Sequence, residues 1–62
     1  MGKGIKMYYV VVRFANGLRE MSFQSESEAR IFACNILCLL NGEEMWKNDD
    51  TFNVTVPQME IN

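Results

Sequence analysis

Met7-Tyr8-Tyr9-Val10-Val11-Val12-Arg13-Phe14 is the most apolar and most β-branched run of the chain, and its reading decides the fold. Alternation separates Tyr8, Val10, Val12 and Phe14 from Met7, Tyr9, Val11 and Arg13, with the charge at Arg13 marking the second set as the less buried face. Both faces are rich in apolar groups, the signature of a strand shielded by neighbours on either side. The run is therefore placed centrally in a sheet.

Asn16-Gly17 follows it and is a strong hairpin signal, because both residues tolerate the positive φ that a type I′ turn demands. Such a turn pairs Ala15 with Leu18, Arg13 with Glu20, Val12 with Met21 and Val10 with Phe23. It gathers Val10, Val12, Met21 and Phe23 on one face. Ser25 and Glu28 then form a capping box, with Glu26 adding negative charge to the first helical turn. A helix over 26–40 is expected, ended by Asn41-Gly42. At 100° per residue Ala29, Phe32, Ala33, Ile36, Leu37, Leu39 and Leu40 share its core side.

Beyond Gly42, 43–47 reads as a short strand carrying Trp46, 48–50 as turn composition, and 51–56 as an alternating strand with Phe52, Val54 and Val56 inward. In this reading Trp46 packs at the rim of the core near Phe52 and Val54, and Met45 lies toward the far side of the sheet. Pro57 cannot donate to a ladder and closes the last strand, leaving an ordered core of about 5–57 and a tail over 58–62. The expectation is a single α+β domain of ββαββ order, β-grasp-like, with a four-stranded mixed sheet and one helix packed across it.

With that order on the page, the chain resembles the immunoglobulin-binding domains of streptococcal protein G and of protein L. The resemblance spans roughly residues 7–56. It is carried by Asn16-Gly17 at the first turn, Asn41-Gly42 after the helix, and the series Trp46, Asp49-Asp50, Phe52 and Val54. It implies the same architecture, with the terminal strands central and parallel. Antibody binding does not follow. The outer helix face here carries Ile31, Cys34, Asn35 and Cys38 in place of the polar residues of protein G, Met45 stands where protein G has an acid, and Trp46 alone carries over.

Composition narrows the function classes. The 62 residues are 48% hydrophobic, which suits a globular domain. A chain this short buries only about 60% of its unfolded surface, and such a core rarely supplies more than about 3–5 kcal/mol, so association would add materially to stability. The net charge of −2 offers no attraction to phosphate backbones. No apolar run approaches a membrane span and the N-terminus, leading from Met1-Gly2-Lys3-Gly4 straight into strand material, does not read as a signal peptide. A cytoplasmic protein is expected.

The chain has no histidine, the usual general base near neutral pH and the commonest metal ligand. Asp49 and Asp50 read as a solvated turn and Glu43 and Glu44 as edge protection. Cys34 and Cys38, at i and i+4, could supply only half of a zinc site, and one helix does not readily bridge them. No catalytic, metal or cofactor residues are assigned.

Two apolar surfaces remain as candidates for a partner or dimer contact. One is the outer helix stripe of Ile31, Cys34 and Cys38; the other is the back of the sheet, with Met7, Tyr9 and Val11 and Leu18 beside them. The leading expectation is a small non-catalytic intracellular interaction module, homodimeric or bound to another protein, of an accessory or inhibitory kind. The alternative is a nucleic-acid-binding accessory protein that stacks bases on the exposed sheet face, for which Lys3, Lys6, Arg13 and Lys47 are few cations.

Overall fold

A computed structural model describes residues 5–61; the expectation for residues 1–4 falls outside the described residues. The elements are β1 Tyr8–Phe14, β2 Gly17–Phe23, α1 Glu26–Leu39, β3 Glu44–Asn48 and β4 Thr51–Val56. They form one mixed sheet in the order β2-β1-β4-β3. β1 and β4 are central and parallel, and each carries an antiparallel outer strand. The ββαββ, β-grasp-like arrangement is the expected one, with α1 across one face of the sheet.

The core lies between α1 and that face. Val10, Val12, Val54, Val56 and Phe52 meet Ala29 and Ala33, which are fully buried. The two alanines lie one turn apart at the closest approach, where a longer side chain would push the helix off the sheet. Around them Phe32, Ile36, Leu37 and Leu40 are half-buried, and Phe32 packs on Phe23 with ring centroids 5.3 Å apart. Leu39, expected on this side, is 78% exposed. It sits roughly 100° round the helix from the Ala29–Ala33 direction, in the last turn, and so reaches past the edge of the core.

The helix ends are built as their residues suggest. The Ser25 side chain accepts a hydrogen bond from the Glu28 amide at 3.4 Å. At the other end Asn41 takes φ 54, Gly42 N donates to Leu37 O at 2.8 Å, and Asn41 N donates to Cys38 O at 3.4 Å. These bonds make a Schellman motif with asparagine in the left-handed position. Gly42 is required for space: a Cβ there would stand 2.8 Å from Leu37 Cδ1 and 3.0 Å from Thr55 O.

The first hairpin differs in register from the expectation. Phe14 pairs with Gly17, Arg13 with Leu18, Val12 with Arg19 and Val10 with Met21. Ala15 and Asn16 are therefore the turn, and Gly17, at φ 159, opens β2. A slip of two residues preserves the side-chain period, so Val10, Val12, Met21 and Phe23 still share the core face. The Arg13–Glu20 pair is lost.

What holds the turn in this position is the segment after Pro57. Ala15 N donates to Met59 O at 2.7 Å, Asn16 Nδ2 donates to Ile61 O at 2.9 Å, and Ile61 N donates to Asn16 Oδ1 at 2.7 Å. The Gln58 amide donates to Leu40 O and Asn41 O, carbonyls that the helix end leaves open. The stretch expected as a tail is thus hydrogen-bonded to both the first turn and the helix terminus.

The second hairpin corrects the placement of Trp46. Asp49 and Asp50 form a two-residue turn with Asp49 at φ 58, and Asn48 pairs with Thr51. Counting back puts Lys47 opposite Phe52, Met45 opposite Val54 and Trp46 opposite Asn53. Met45 consequently joins the core and Trp46 points to the other side, 42% exposed.

Candidate interaction surfaces

The three strand registers generate the back of the sheet as three rows. Leu18, Arg13, Thr55 and Glu44 form the first; Glu20, Val11, Asn53 and Trp46 the second; Ser22, Tyr9, Thr51 and Asn48 the third. No described element covers them. Tyr9 and Val11, on the central strand, are half-buried by their neighbours, while Leu18 is 52% exposed. Met7 precedes β1 and is half-buried.

Two polar groups on this face are unusual. Asn53 is only 7% exposed, in the middle row between Val11 and Trp46. One step along the same face, Thr55 Oγ1 is buried with no hydrogen-bond partner among the described residues. A buried hydroxyl without a partner forfeits about 1–3 kcal/mol, a cost carried inside the sheet, since the atom is shielded from solvent by its own chain.

The other candidate lies on α1. Ile31, Cys34 and Cys38 are all exposed, the two cysteines as free thiols, and their spacing aligns them on the outer helix face as the sequence reading placed them. Asn35 and Leu39 flank them, also exposed. The stripe is narrow, one residue wide over the 14-residue helix.

Charged groups gather elsewhere. Lys6, Lys47, Asp49 and Asp50 line an open depression of about 580 Å³ beside the β3–β4 turn. Lys47 already meets Glu26 at 3.2 Å and lies 5.9 Å from the centre of the Phe52 ring, while Lys6 lies 5.7 Å from the centre of Tyr8. Among the described residues no cluster of three metal-ligating side chains is present, and no helix is long and apolar enough to cross a membrane.

Sequence reasoning found Tyr9, Val11 and Leu18 on the back of the sheet but missed Trp46, Asn53 and Thr55. Counting outward from a two-residue Asp49-Asp50 turn, instead of reading 48–50 as a three-residue connection, would have recovered Trp46. The unpaired state of Thr55 had no sequence signal. Comparison with protein-family models, curated proteins and solved structures finds no match to this chain. Fold and surfaces together define a small α+β domain with a helix on one side of its sheet and an open, partly apolar face on the other.

Proposed function

We propose that this chain is a small non-catalytic interaction module of the cell interior, acting by protein contact and self-associating as a homodimer. One observation carries the reading: the fully buried side chains are valines and alanines, whereas Leu18, Ile31, Leu39 and Trp46 are exposed. Large apolar side chains each contribute more on burial than the small ones that, Phe52 apart, fill this core. A partner surface is where that unused contribution is recovered, and a domain of 62 residues has particular need of it. The likeness to the domains of protein G and protein L remains one of architecture in this reading.

Nucleic-acid binding is the weaker reading, because the twelve back-face positions carry one cation, Arg13, against two carboxylates, Glu20 and Glu44. A stacking platform for bases needs the opposite balance. Sedimentation equilibrium of the full chain from micromolar to millimolar concentration tests the association. A mass rising toward twice 7.2 kDa is expected; a monomer throughout refutes the homodimer. Retention on a single-stranded oligonucleotide that weakens steeply with salt would favour the nucleic-acid reading instead.

A further inference from the structure

We propose that residues 58–61 form a strap that selects between two registers of the first hairpin, so that releasing it lets β2 slide two residues along β1. Such a device stands whether or not the chain associates. Ala15 N is the donor at issue. It gives its hydrogen to Met59 O at 2.7 Å, whereas a two-residue turn at Asn16-Gly17 makes Ala15 and Leu18 the first pair and sends the same hydrogen to Leu18 O. Asn16 is contested in the same way. Its side chain holds Ile61 O and Ile61 N at 2.9 and 2.7 Å, and its backbone lies outside the positive φ that a type I′ turn at Asn16-Gly17 requires.

The slid register is the better match for the side chains of the hairpin. In the register seen, Val12, at 1% exposure, has the exposed Arg19 beside it on the helix side of the sheet. A slide of two residues brings Met21 beside Val12 and Phe23 beside Val10, moves Arg19 out to Phe14, and sets Glu20 opposite Arg13. Every residue keeps its face, because the side-chain period is two. Asn16-Gly17 also gives the turn whose twist suits the two strands.

Two features oppose the slide. About 6.8 Å of chain, two residues of strand, has to come from Gln24 and Ser25, the residues between Phe23 and Glu26, which draws Ser25 away from the Glu28 amide it caps. The strap is the second. Its three bonds reach the exposed Ala15 and Asn16, and at about twofold each they bias the equilibrium by about tenfold. Gln58 anchors the strap on Leu40 O and Asn41 O. Turn chemistry and strap thus act in opposite directions on one sliding strand, the arrangement a two-state element needs. The slide also changes what the open face shows, because Leu18 leaves its place beside Arg13 and Glu20 takes it.

The test traps each register in the full chain, with Cys34→Ser and Cys38→Ser as background. Val11→Cys with Glu20→Cys places two thiols opposite one another in the register seen. Arg13→Cys with Glu20→Cys does so only after the slide, since before it the pair is diagonal, about 7–8 Å apart and beyond disulfide reach. Both pairs are brought to equilibrium in a glutathione redox buffer. Gln58→Ala with Ile61→Pro, which removes the Gln58 amide and the Ile61 N–H, should favour closure of the Arg13→Cys pair over the Val11→Cys pair by about fivefold or more. The coupling is reciprocal, so closing the Arg13→Cys pair should release the strap and speed hydrogen exchange at the Ile61 amide by about tenfold relative to the closed Val11→Cys pair. An Arg13→Cys pair that stays open wherever the Val11→Cys pair closes overturns the slide. A closure ratio unmoved by the strap variant, or Ile61 exchange equal in the two closed pairs, overturns the strap's control of it. The exchange measurement leaves Gln58 and Ile61 unchanged, so it decides the matter even where the strap variant fails to fold.

Discussion

Gly42→Ala concentrates the geometry of the helix end into one measurable change. The added methyl would stand 2.8 Å from Leu37 Cδ1, 3.0 Å from Thr55 O and 3.2 Å from Leu37 Cα. The Leu37 methyl can swing aside. Thr55 O cannot, because Thr55 sits in β4 between Arg13 and Glu44 and the same oxygen accepts from Glu43 N at 2.9 Å. The helix end must therefore move, straining the bond from Gly42 N to Leu37 O. Overpacking of this kind costs about 1–3 kcal/mol, offset by about 0.4–1 kcal/mol from the stiffer unfolded chain. The net lies between about 0 and 2.6 kcal/mol, centred on about 1.3 kcal/mol, which lowers Tm by about 5–10 °C in a domain this small. Urea unfolding followed by circular dichroism reads it directly as a lower midpoint at unchanged slope. A midpoint clearly above that of the parent would refute the close approach of the helix end to β4.

Neighbouring Asn41, at φ 54, should behave oppositely: Asn41→Gly is expected to be neutral or slightly stabilising and Asn41→Ala to cost about 1 kcal/mol, compared by the same urea midpoints. Asn16→Ala and removal of residues 58–62 both delete the bonds between Asn16 and Ile61. Their costs should thus fall short of adding by about 0.5–1.5 kcal/mol in a double-variant cycle; strict additivity would mean that the clasp contributes nothing. Trp46, on the open face, should emit near the position of a solvated indole in dilute monomer and shift to the blue as concentration drives association. A blue-shifted maximum independent of concentration would place it in the core after all.

Element order was legible in the chain because each signal was local and redundant. Ser25 with Glu28 starts the helix, Asn41-Gly42 ends it, and the alternation of Val10 and Val12, and of Phe52, Val54 and Val56, assigns the core strands without reference to anything distant. The two face assignments fared differently. In the first hairpin the expected register was two residues out, yet period-two geometry returned the same residues to the core. In β3 the stretch Glu44-Met45-Trp46-Lys47-Asn48 alternates too weakly to reveal its inner face, and reading the turn one residue too long inverts Met45 and Trp46.

What tertiary structure alone decided lies where partners are far apart in sequence. The first turn is Ala15-Asn16 because the Ala15 amide and the Asn16 side chain meet backbone groups of Met59 and Ile61, 45 residues on in the case of Asn16 and Ile61. No propensity near Asn16 encodes that meeting. The open face was likewise decided by assembly: Thr55 Oγ1 is left without a partner, and Trp46 comes to stand beside Asn53 and Val11, only when four strands from both ends of the chain are laid in one sheet. Local chemistry determines which residues become strand and helix, whereas the hydrogen-bonding remainder of a face is a property of the whole sheet.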